Sequence, residues 1–329
     1  MKRLGISLLN ISEGRNKTIV EAVAKAATSC CHELSEADKE LGLKSNSTVL
    51  NIFSDYDYNR SVLTIAAPLA HLKKSLYNAC KEAYDLIDLS EQIGGHPRLG
   101  SVDLLPIYPL SGDVTLKECG AIATDIASSL AKDIPGTSFF LFGTSDLPAQ
   151  RNLVARRKQV GWFLGEHDTD YGSLKEDLGC KPSKRYGLTG AGASLYVTNF
   201  NVSIETKDVS IGHEIARRIR SSTPGGLPGV KVMAFDHEGS VEIACNVEHI
   251  PSTSEESASS RDNVYNGVSY TYPATIESRV KELARQYGVG LIGTRIIGFT
   301  PQEALELAAH ALKTGQEDYW KTRVPGATM

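Results

Sequence analysis

Residues 93–110, IGGHPRLGSVDLLPIYPL, place one histidine between two glycines and a proline. Gly94 and Gly95 permit backbone conformations that other residues avoid, and Pro97 fixes the chain directly after His96. A neutral imidazole, with a usual pKa of about 6.5, is the side chain best suited to proton transfer near neutral pH. The pattern therefore predicts a general base at His96, and the structural alternative is a tight turn that contains a histidine.

Polar residues near this histidine could bind a substrate. Arg98 follows it by two positions, and a guanidinium there suits an anionic substrate. The segment SDYDYNRS, residues 54–61, lies between two predicted strands, and its structural alternative is a hairpin turn rich in Asp and Asn. Its polar side chains include Asp55, Asp57, Asn59 and Arg60. In NISEGRN, residues 10–16, Ser12 as the N-cap of a helix is a sufficient structural explanation.

The composition argues against several classes of function. The chain has 329 residues, 41% of them apolar, and a net charge of −4, which gives no sign of a basic surface for nucleic acid. No window approaches the roughly 20 apolar residues that span a membrane. The cysteines show no C-x-x-C pair and no metal-ligand spacing, which predicts buried, reduced thiols in a cytoplasmic protein without a metal. They are Cys30, Cys31, Cys80, Cys119, Cys180 and Cys245.

Hydrophobic periodicity predicts the elements that must position these residues. In the first half the order is β-α-β-β-α-β, followed by a helix, a strand and a helix. The predicted elements are strand 4–10, helix 17–31, strands 49–53 and 61–66, helix 69–87, strand 102–108, helix 116–132, strand 138–142 and helix 147–160. The polar, glycine-rich residues 165–187 then predict a linker or a binding loop.

The second half repeats this order. The predicted elements are strand 194–201, helix 209–221, strands 230–235 and 241–247, helix 274–287, strand 289–297 and a last helix that begins at residue 301. Asp208 and Thr300 are the expected N-caps of two of these helices. The polar residues 250–270 predict a surface excursion. The glycine-rich residues 187–194 come before a strand, so they are not the strand-then-helix motif that binds dinucleotides.

Two tandem β-α-β-β-α-β units predict an α+β fold with two subdomains, residues 1–184 and 185–329. Helices on one face of each sheet leave the other face uncovered. We therefore expect mixed or antiparallel sheets that face each other, with the helices on the outer faces. A cleft between such sheets would be the natural place for a ligand.

Five segments together resemble the glutamate formiminotransferase family, which is the transferase part of formiminotransferase-cyclodeaminase. They are NISEGRN, SDYDYNRSV, IGGHPRLGSVDLLPIYPL, FLFGTSD and LIGTRIIGFTP, in the order of the family. The resemblance extends over nearly the whole chain, which is similar to the free-standing formiminotransferase-like proteins. It implies a homodimeric transferase that holds a reduced folate in a tunnel between its two sheets.

The resemblance also implies a reaction. A formimino group moves from N-formiminoglutamate to N5 of tetrahydrofolate, or a formyl group moves between 5-formyltetrahydrofolate and glutamate. Tetrahydrofolate is then a substrate, and no metal is expected. The implied partners are a reduced folate, a glutamate derivative and a second copy of the chain, in the cytoplasm or at the periphery of Golgi membranes.

By the same resemblance the catalytic histidine of the family falls on His96. The folate-contacting loop falls on residues 179–187, and the DLG sequence that begins at Asp177 matches a D-x-G pattern of the family. The implied folate-binding or substrate-binding residues are Asp55, Asn59, Arg60, Gly94, Gly95, Arg98, Asp177, Gly179, Ser183 and Gly187.

Departures from the family pattern leave a second function open. Around the histidine the family carries a basic pair and a glutamate, where this chain has Gln92, Ile93 and Gly95. Ser194 and Leu195 stand where the family carries arginine and lysine. Loss of an arginine that clamps a carboxylate removes a contact of about 1.5–3 kcal/mol. The alternative is therefore a non-catalytic folate-binding or scaffold protein of the same fold, in endomembrane traffic at the Golgi.

Overall fold

The computed structural model describes residues 3–29, 34–162, 173–251, 264–265 and 268–322. The described residues divide into two compact units. The first contains those up to Ser194 together with those from Ala304 onward, and the second contains those within Leu195–Glu303. Each unit includes one β-α-β-β-α-β repeat, so the predicted α+β class with two such repeats is confirmed.

The first unit contains one mixed sheet with helices packed against it. Its strands are β1 (Leu4–Ile11), β2 (Thr48–Asp55), β3 (Arg60–Pro68), β4 (Val102–Pro109), β5 (Ser138–Gly143), β6 (Leu178–Gly179) and β7 (Thr189–Ala193). Its helices are α1 (Lys17–Thr28), α2 (Glu36–Glu40), α3 (Leu69–Leu86), α4 (Leu116–Asp133) and α5 (Leu153–Gln159). The order of the sheet is β2-β3-β1-β4-β7-β5-β6, and only the pairs that involve β7 are parallel.

The glycine-rich sequence TGAGA forms β7, between β4 and β5. A Cβ at Gly192 would collide with the carbonyl oxygen of Phe142 on β5, so only glycine allows the two strands to pair this closely. All five residues of β7 are buried, and the strand therefore lacks the alternation that reveals a half-exposed strand. It lies after the predicted subdomain boundary at residues 184/185 but belongs to the first unit.

The predicted linker or binding loop is described from residue 173 onward, and several of its residues from Asp177 onward pair with the first sheet. Gly179 on β6 pairs with Ser138 on β5. Gly187 forms an isolated bridge with Gly100, just before β4. The earlier part of the predicted segment, residues 165–172, lies outside the described residues. Residues 173–187 are therefore an integral part of the first unit.

Strand alternation places polar residues on one face of the first sheet. Leu9, Ile11 and Leu63 belong to the core that the strands share with α1, α3 and α4. Each such fully buried side chain contributes about 1.5–3 kcal/mol to folding. Because neighbouring side chains on a strand point to opposite faces, Asn10 and Arg60 point away from these helices. The sheet thus separates the apolar core from a polar cluster on its other face.

A β-bulge adds a carboxylate to this polar face. Asn10 on β1 lies opposite Leu104 on β4, whereas the next residue, Ile11, lies opposite Val102. Asp103 is therefore an extra residue of β4. Such bulges redirect a side chain and often lie beside active sites. The bulge explains how a charged residue is accommodated in the otherwise apolar sequence of β4.

The N-cap predicted for α1 and the start predicted for α5 differ from the structure. The N-cap of α1 is Asn16, whose side chain accepts hydrogen bonds from the backbone N–H groups of Thr18 and Ile19. Ser12 was the wrong cap, because its hydroxyl donates to the carbonyl oxygen of Gly100 at 2.7 Å. Helix α5 begins only at residue 153, where Asn152 caps it, rather than at residue 147.

The second unit is a smaller antiparallel sheet with helices packed against it. Its elements are β8 (Val197–Ile204), α6 (Val209–Ile219), β9 (Val230–His237), β10 (Ser240–Glu248), β11 (Ile250–Pro251), β12 (Val264–Tyr265), β13 (Val268–Ser269), α7 (Pro273–Arg285) and β14 (Leu291–Ile297), followed by α8 (Pro301–Thr314), which continues into the first unit. The main sheet has the order β14-β8-β10-β9, and the short strands pair as β11-β13-β12. Asp208 caps α6 as predicted, and Thr300 accepts from the N–H of Glu303 at the start of α8.

The structure bears on the predicted state of the cysteines and on the search for membrane-spanning segments. Cys80, Cys119 and Cys245 are buried free thiols as predicted, whereas Cys180 is exposed, and Cys30 and Cys31 lie outside the described residues. Within the described ranges, no helix has the length and apolar character that crossing a bilayer requires.

Candidate active site around His96

Two loops of the first unit hold His96 in place. The histidine loop, residues 92–98, lies against the hairpin loop, residues 56–59, which joins β2 to β3. The N–H of Gly95 donates to the carbonyl oxygen of Asp57 at 3.0 Å. The amide of Asn59 donates to the carbonyl oxygen of Ile93 at 3.2 Å. One backbone bond and one side-chain bond therefore join the two loops on either side of Gly94.

The glycine and arginine of the histidine loop have a structural role in this arrangement. A Cβ at Gly94 would collide with the carbonyl oxygen of Tyr58 and with the guanidinium of Arg98. That guanidinium is buried and donates to the carbonyl oxygens of Asn59 and Tyr58, at 2.9 and 3.0 Å. Arg98 thus lies beneath the hairpin loop. Asp55 ends β2 and accepts from the N–H of Tyr58 at 2.8 Å, which orders the same loop.

The proton of neutral His96 is placed by one contact. Nδ1 lies 2.8 Å from the carbonyl oxygen of Pro97, so it carries the proton and donates to that oxygen. The lone pair of the imidazole is then on Nε2. The ring is half-buried and packs edge-on against Tyr58 and Trp162, with centroid distances of 5.2 and 5.7 Å. The geometry therefore fixes the tautomer that a general base needs.

An ion pair lies next to the imidazole. Nη1 of Arg60 is 2.6 Å from Oδ2 of Asp103 and 3.4 Å from Nδ1 of His96. The other side of the Arg60 guanidinium donates to the amide oxygen of Asn10, with Nη2 at 2.7 Å. Asp103 is 2% exposed, and its Oδ1 accepts from the N–H of Leu99 at 2.9 Å. Arg60 and Asp103 are thus fixed in position by hydrogen bonds on every side.

These neighbours set the charge of each group. Burial, and then the positive charge of Arg60, lower the pKa of His96 to about 3. Burial alone would raise the pKa of Asp103, but the charges of Arg60 and Arg157 hold that pKa below its usual value. At neutral pH the cluster therefore contains a neutral imidazole, an ionised carboxylate and two guanidinium groups.

Arg157 and Trp162 complete the cluster from α5 and the turn that follows it. Nη2 of Arg157 is 3.8 Å from Oδ2 of Asp103, and its guanidinium lies over the Trp162 ring at 4.1 Å from the centroid. Arg157, Trp162 and Asp103 are not among the site residues that the sequence predicts. A charged residue in the apolar strand VDLLPIYP was a signal that could have identified Asp103, whereas Arg157 lies in a helix with no distinguishing pattern.

The predicted residues of the folate loop lie on the side of the sheet that carries β5 and β6. Asp177 accepts from the N–H of Leu141 at 2.6 Å and also binds Arg156. Gly179 has φ of +93°, and Ser183 accepts from the N–H of Tyr186 at 3.2 Å. Asp177 therefore lies next to α5. The residue that follows Arg156 on this helix is Arg157, which belongs to the His96 cluster.

An open groove of about 520 Å³ lies beside the histidine loop, near the start of α1. Glu13 is buried at this groove and accepts from the N–H groups of Arg15 and Asn16, both at 2.8 Å. Its other oxygen accepts from the side chain of Gln92 at 3.2 Å, and Gln92 in turn accepts from Asn59. The predicted residue Asn59 thus links the groove to the two loops.

The described residues contain no group of three or more His, Cys, Asp or Glu side chains that could hold a metal ion. The groups that could take part in chemistry are a positioned imidazole and the ion pair beside it. Such a cluster can accept and return a proton and can attract an anion.

Comparison with known proteins places this cluster in a family. A sequence profile of the formiminotransferase domain, N-terminal subdomain, matches residues 4–194, which is more than half of the chain. The chain belongs to the formiminotransferase family. The match ends at Ser194, which is also the last residue of the first unit before the chain enters the second unit. The His96 cluster therefore lies wholly within the matched residues.

Three relatives extend the comparison, two of them over nearly the whole chain. The glutamate formimidoyltransferase of Streptococcus pyogenes serotype M1 is 29% identical over 322 residues, which are 95% of this chain and 94% of that protein. The formiminotransferase cyclodeaminase-like protein of Arabidopsis thaliana is 32% identical over 260 residues, 74% of this chain and 82% of that protein. The formimidoyltransferase-cyclodeaminase of Dictyostelium discoideum is 26% identical over 94% of this chain but only 52% of that protein. The family is one of transferases, and the predicted resemblance is confirmed.

Proposed function

We propose that the chain transfers a formimino or formyl group between a glutamate derivative and tetrahydrofolate, with His96 as the general base. The observation that carries this proposal is the hydrogen bond from Nδ1 of His96 to the carbonyl oxygen of Pro97 at 2.8 Å. It leaves the basic lone pair on Nε2, in a loop that two hydrogen bonds join to the hairpin loop. The family relationship supplies the substrates.

The proposed step needs one proton to move twice. N5 of tetrahydrofolate attacks the formimino carbon of N-formiminoglutamate and forms a tetrahedral intermediate. Nε2 of His96 accepts the proton that N5 loses, and then returns a proton to the glutamate nitrogen. The bond between that nitrogen and the one-carbon unit breaks, and glutamate leaves. A positioned acid–base group of this kind contributes about 10²–10⁴-fold to the rate.

The low pKa of His96 bears on the first part of this step. With a pKa of about 3, the imidazole is uncharged at neutral pH, but in the free protein it is a weak base. The Arg60–Asp103 ion pair stays beside Nδ1 and fixes the side of the ring that does not react. Proton acceptance during the reaction would be favoured by a substrate anion that offsets the nearby positive charges.

The folate is proposed to bind along residues 177–187. The family relationship and the three predicted positions Asp177, Gly179 and Ser183 support this placement. Gly187 connects the segment to Gly100, at the end of the region that carries His96. A homodimer, a cytoplasmic location and a peripheral association with Golgi membranes stay predictions of the resemblance.

A second candidate function is a non-catalytic folate-binding or scaffold protein of the same fold. One observation favours it: Gln92 stands where the family carries a charged residue, and here it binds Glu13 and Asn59 within the protein. Ile93 at the next such position is exposed. Gln92 and Ile93 both belong to the histidine loop, and neither side chain offers a charge to a substrate.

Turnover decides between the two functions. The purified chain is assayed with tetrahydrofolate and N-formiminoglutamate, and with 5-formyltetrahydrofolate and glutamate, while thermal shift reports folate binding. The transferase proposal expects product from at least one pair and a folate-dependent rise in Tm. Folate binding without turnover on either pair would favour the non-catalytic function and count against the transferase, and no stabilisation at millimolar folate would contradict both.

A further inference from the structure

The His96 cluster contains more buried positive than negative charge. Arg60 and Arg157 each bring one guanidinium, and Asp103 is the carboxylate they share. The neutral imidazole adds no charge at pH 7. Burying an unpaired charge is costly, so an anion that enters such a site gains from the excess. Tyr108, on β4, is the further titratable group that acts on Arg157, and a phenol, with a usual pKa of about 10, adds no charge at pH 7.

The two arginines share the carboxylate unequally. Nη1 of Arg60 makes a 2.6 Å bond to Oδ2 of Asp103, and Leu99 bonds the other oxygen. Nη2 of Arg157 is 3.8 Å away, beyond hydrogen-bond distance. The carboxylate is therefore committed to Arg60, and Arg157 interacts with it only through space.

The guanidinium of Arg157 is buried and incompletely bonded. The residue is 8% exposed, and within the described part of the chain its buried Nε has no hydrogen-bond partner. Burial lowers the pKa of this arginine to about 10, which is consistent with a charge that the protein does not fully offset. A guanidinium presents five donors in a planar fork that matches a carboxylate.

The neighbouring buried arginines lack this feature. Arg98 donates to two backbone carbonyl oxygens. Arg156, next to Arg157 on α5, binds the carbonyl oxygen of Leu141, the side chain of Gln159 and the carboxylate of Asp177. Both side chains are thus committed to holding the fold, and Arg157 differs from them in having bonding capacity that the fold leaves unused.

Trp162 connects Arg157 to the catalytic imidazole. Its ring stacks on the guanidinium at 4.1 Å and contacts His96 edge-on at 5.7 Å. Because the imidazole and the guanidinium both contact the Trp162 ring, an anion bound to Arg157 would lie close to His96.

We propose that Arg157 is a specificity-determining residue that binds a carboxylate of the amino-acid substrate beside His96. The inference rests on the proposed transferase function and names the residue that would recognise the acidic donor. A bound carboxylate would offset the excess positive charge and favour proton acceptance by Nε2. The same arginine would thereby exclude donors that lack the acidic group.

The test compares two inert probes, glutarate and its neutral diamide, by calorimetry at constant ionic strength. The ratio of their affinities measures recognition of the negative charge, and it is insensitive to a general loosening of the site. In the wild-type chain we expect glutarate to bind at least about 10-fold more tightly than the diamide. Arg157→Met should abolish most of this preference. Lys158→Met, at an exposed position on the same helix, should preserve it.

Two further measurements keep the test decisive if Arg157→Met folds poorly. Arg157→Lys retains the charge but loses the planar fork, so its preference for glutarate should fall between those of the wild type and the methionine variant. In the wild-type chain, saturating glutarate should also raise the pKa of His96 as followed by NMR of its imidazole nitrogens. An equal loss of affinity for both probes, or an unchanged preference in Arg157→Met, would overturn the proposal.

The outcome separates this inference from the proposed function. Charge-selective binding through Arg157 in a chain without turnover would support the carboxylate site and contradict the transferase. Turnover that survives with an unchanged preference for glutarate in Arg157→Met would support the transferase and remove Arg157 as its specificity residue.

Discussion

The guanidinium of Arg60 and the carboxylate of Asp103 meet at 2.6 Å on the face of the first sheet that points away from α1, α3 and α4. Arg60 begins β3, and Asp103 is the bulge residue of β4, so the pair bridges strands that are separated by β1. The pair holds the positive charge of Arg60 within 3.4 Å of His96. Burial and then the charge of Arg60 lower the pKa of His96 and keep the imidazole uncharged, whereas the charge of Asp103 acts in the opposite direction.

Removing the carboxylate of this pair should destabilise the chain strongly. Asp103→Ala leaves the buried guanidinium of Arg60 without its partner, which typically costs about 3–5 kcal/mol of unfolding free energy. Urea unfolding measures the change. The control is Asp125→Ala, which removes an exposed partner of Lys73 and should cost at most about 1 kcal/mol. Equal effects of the two substitutions would show that the buried pair has no special role.

Removing the imidazole should affect the rate far more than folate binding. His96→Ala eliminates the proton acceptor, and we expect kcat to fall by about 10²–10⁴-fold with folate affinity nearly unchanged. Stopped assays and calorimetry measure the two quantities. His213→Ala, at an exposed position on α6, is the matched control and should behave like the wild type. A parallel loss of rate and folate affinity would make His96 a binding residue instead.

The pH dependence of the reaction should differ between kcat/KM and kcat. The acidic limb of kcat/KM reports the free protein, in which the pKa of His96 is about 3, so protonation of His96 should not reduce kcat/KM between pH 5 and pH 8. The limb of kcat reports the complex, in which a bound carboxylate raises this pKa, so it should lie at higher pH. A limb near pH 6.5 in kcat/KM that disappears in His96→Ala would contradict this expectation.

A buried histidine of the second unit should make the chain sensitive to acid. His249 is 4% exposed and stacks on Tyr270 at 4.6 Å, and among the described residues both of its ring nitrogens lack a hydrogen-bond partner. Burial lowers its pKa to about 4, so the folded chain binds fewer protons here than the unfolded chain between pH 6.5 and pH 4. The free energy of unfolding is therefore unaffected by His249 above pH 6.5, and it decreases as the pH falls from 6.5 toward 4.

Replacing this histidine with an apolar ring tests the linkage. His249→Phe keeps the stacking on Tyr270 and removes the titration. The slope of unfolding free energy against pH should therefore fall, between pH 6.5 and pH 4, by an amount that corresponds to at most one bound proton. Urea unfolding at a series of pH values measures the slope, and His213→Phe is the comparison at an exposed site. A variant that retains the full wild-type slope would show that another group is responsible.

The sequence by itself determined the repeated β-α-β-β-α-β order, because hydrophobic periodicity is a local property of strands and helices. It also identified the histidine loop, since two glycines and a proline around His96 restrict the backbone wherever the chain folds. Local patterns could not show that TGAGA is an inner strand, because β7 is buried on both faces and its partners lie about 50 and 85 residues earlier in the chain.

Only the tertiary structure decided which charges surround His96. Arg60, Asp103 and Arg157 come from two strands and a helix that are far apart in the sequence, and their contacts depend on strand pairing, a bulge and the packing of Trp162. The same is true of Arg98, whose position in the sequence suggested a substrate contact but whose guanidinium holds two backbone carbonyls. The charge of a side chain can be read from the sequence, but the groups that neutralise it are set by long-range packing.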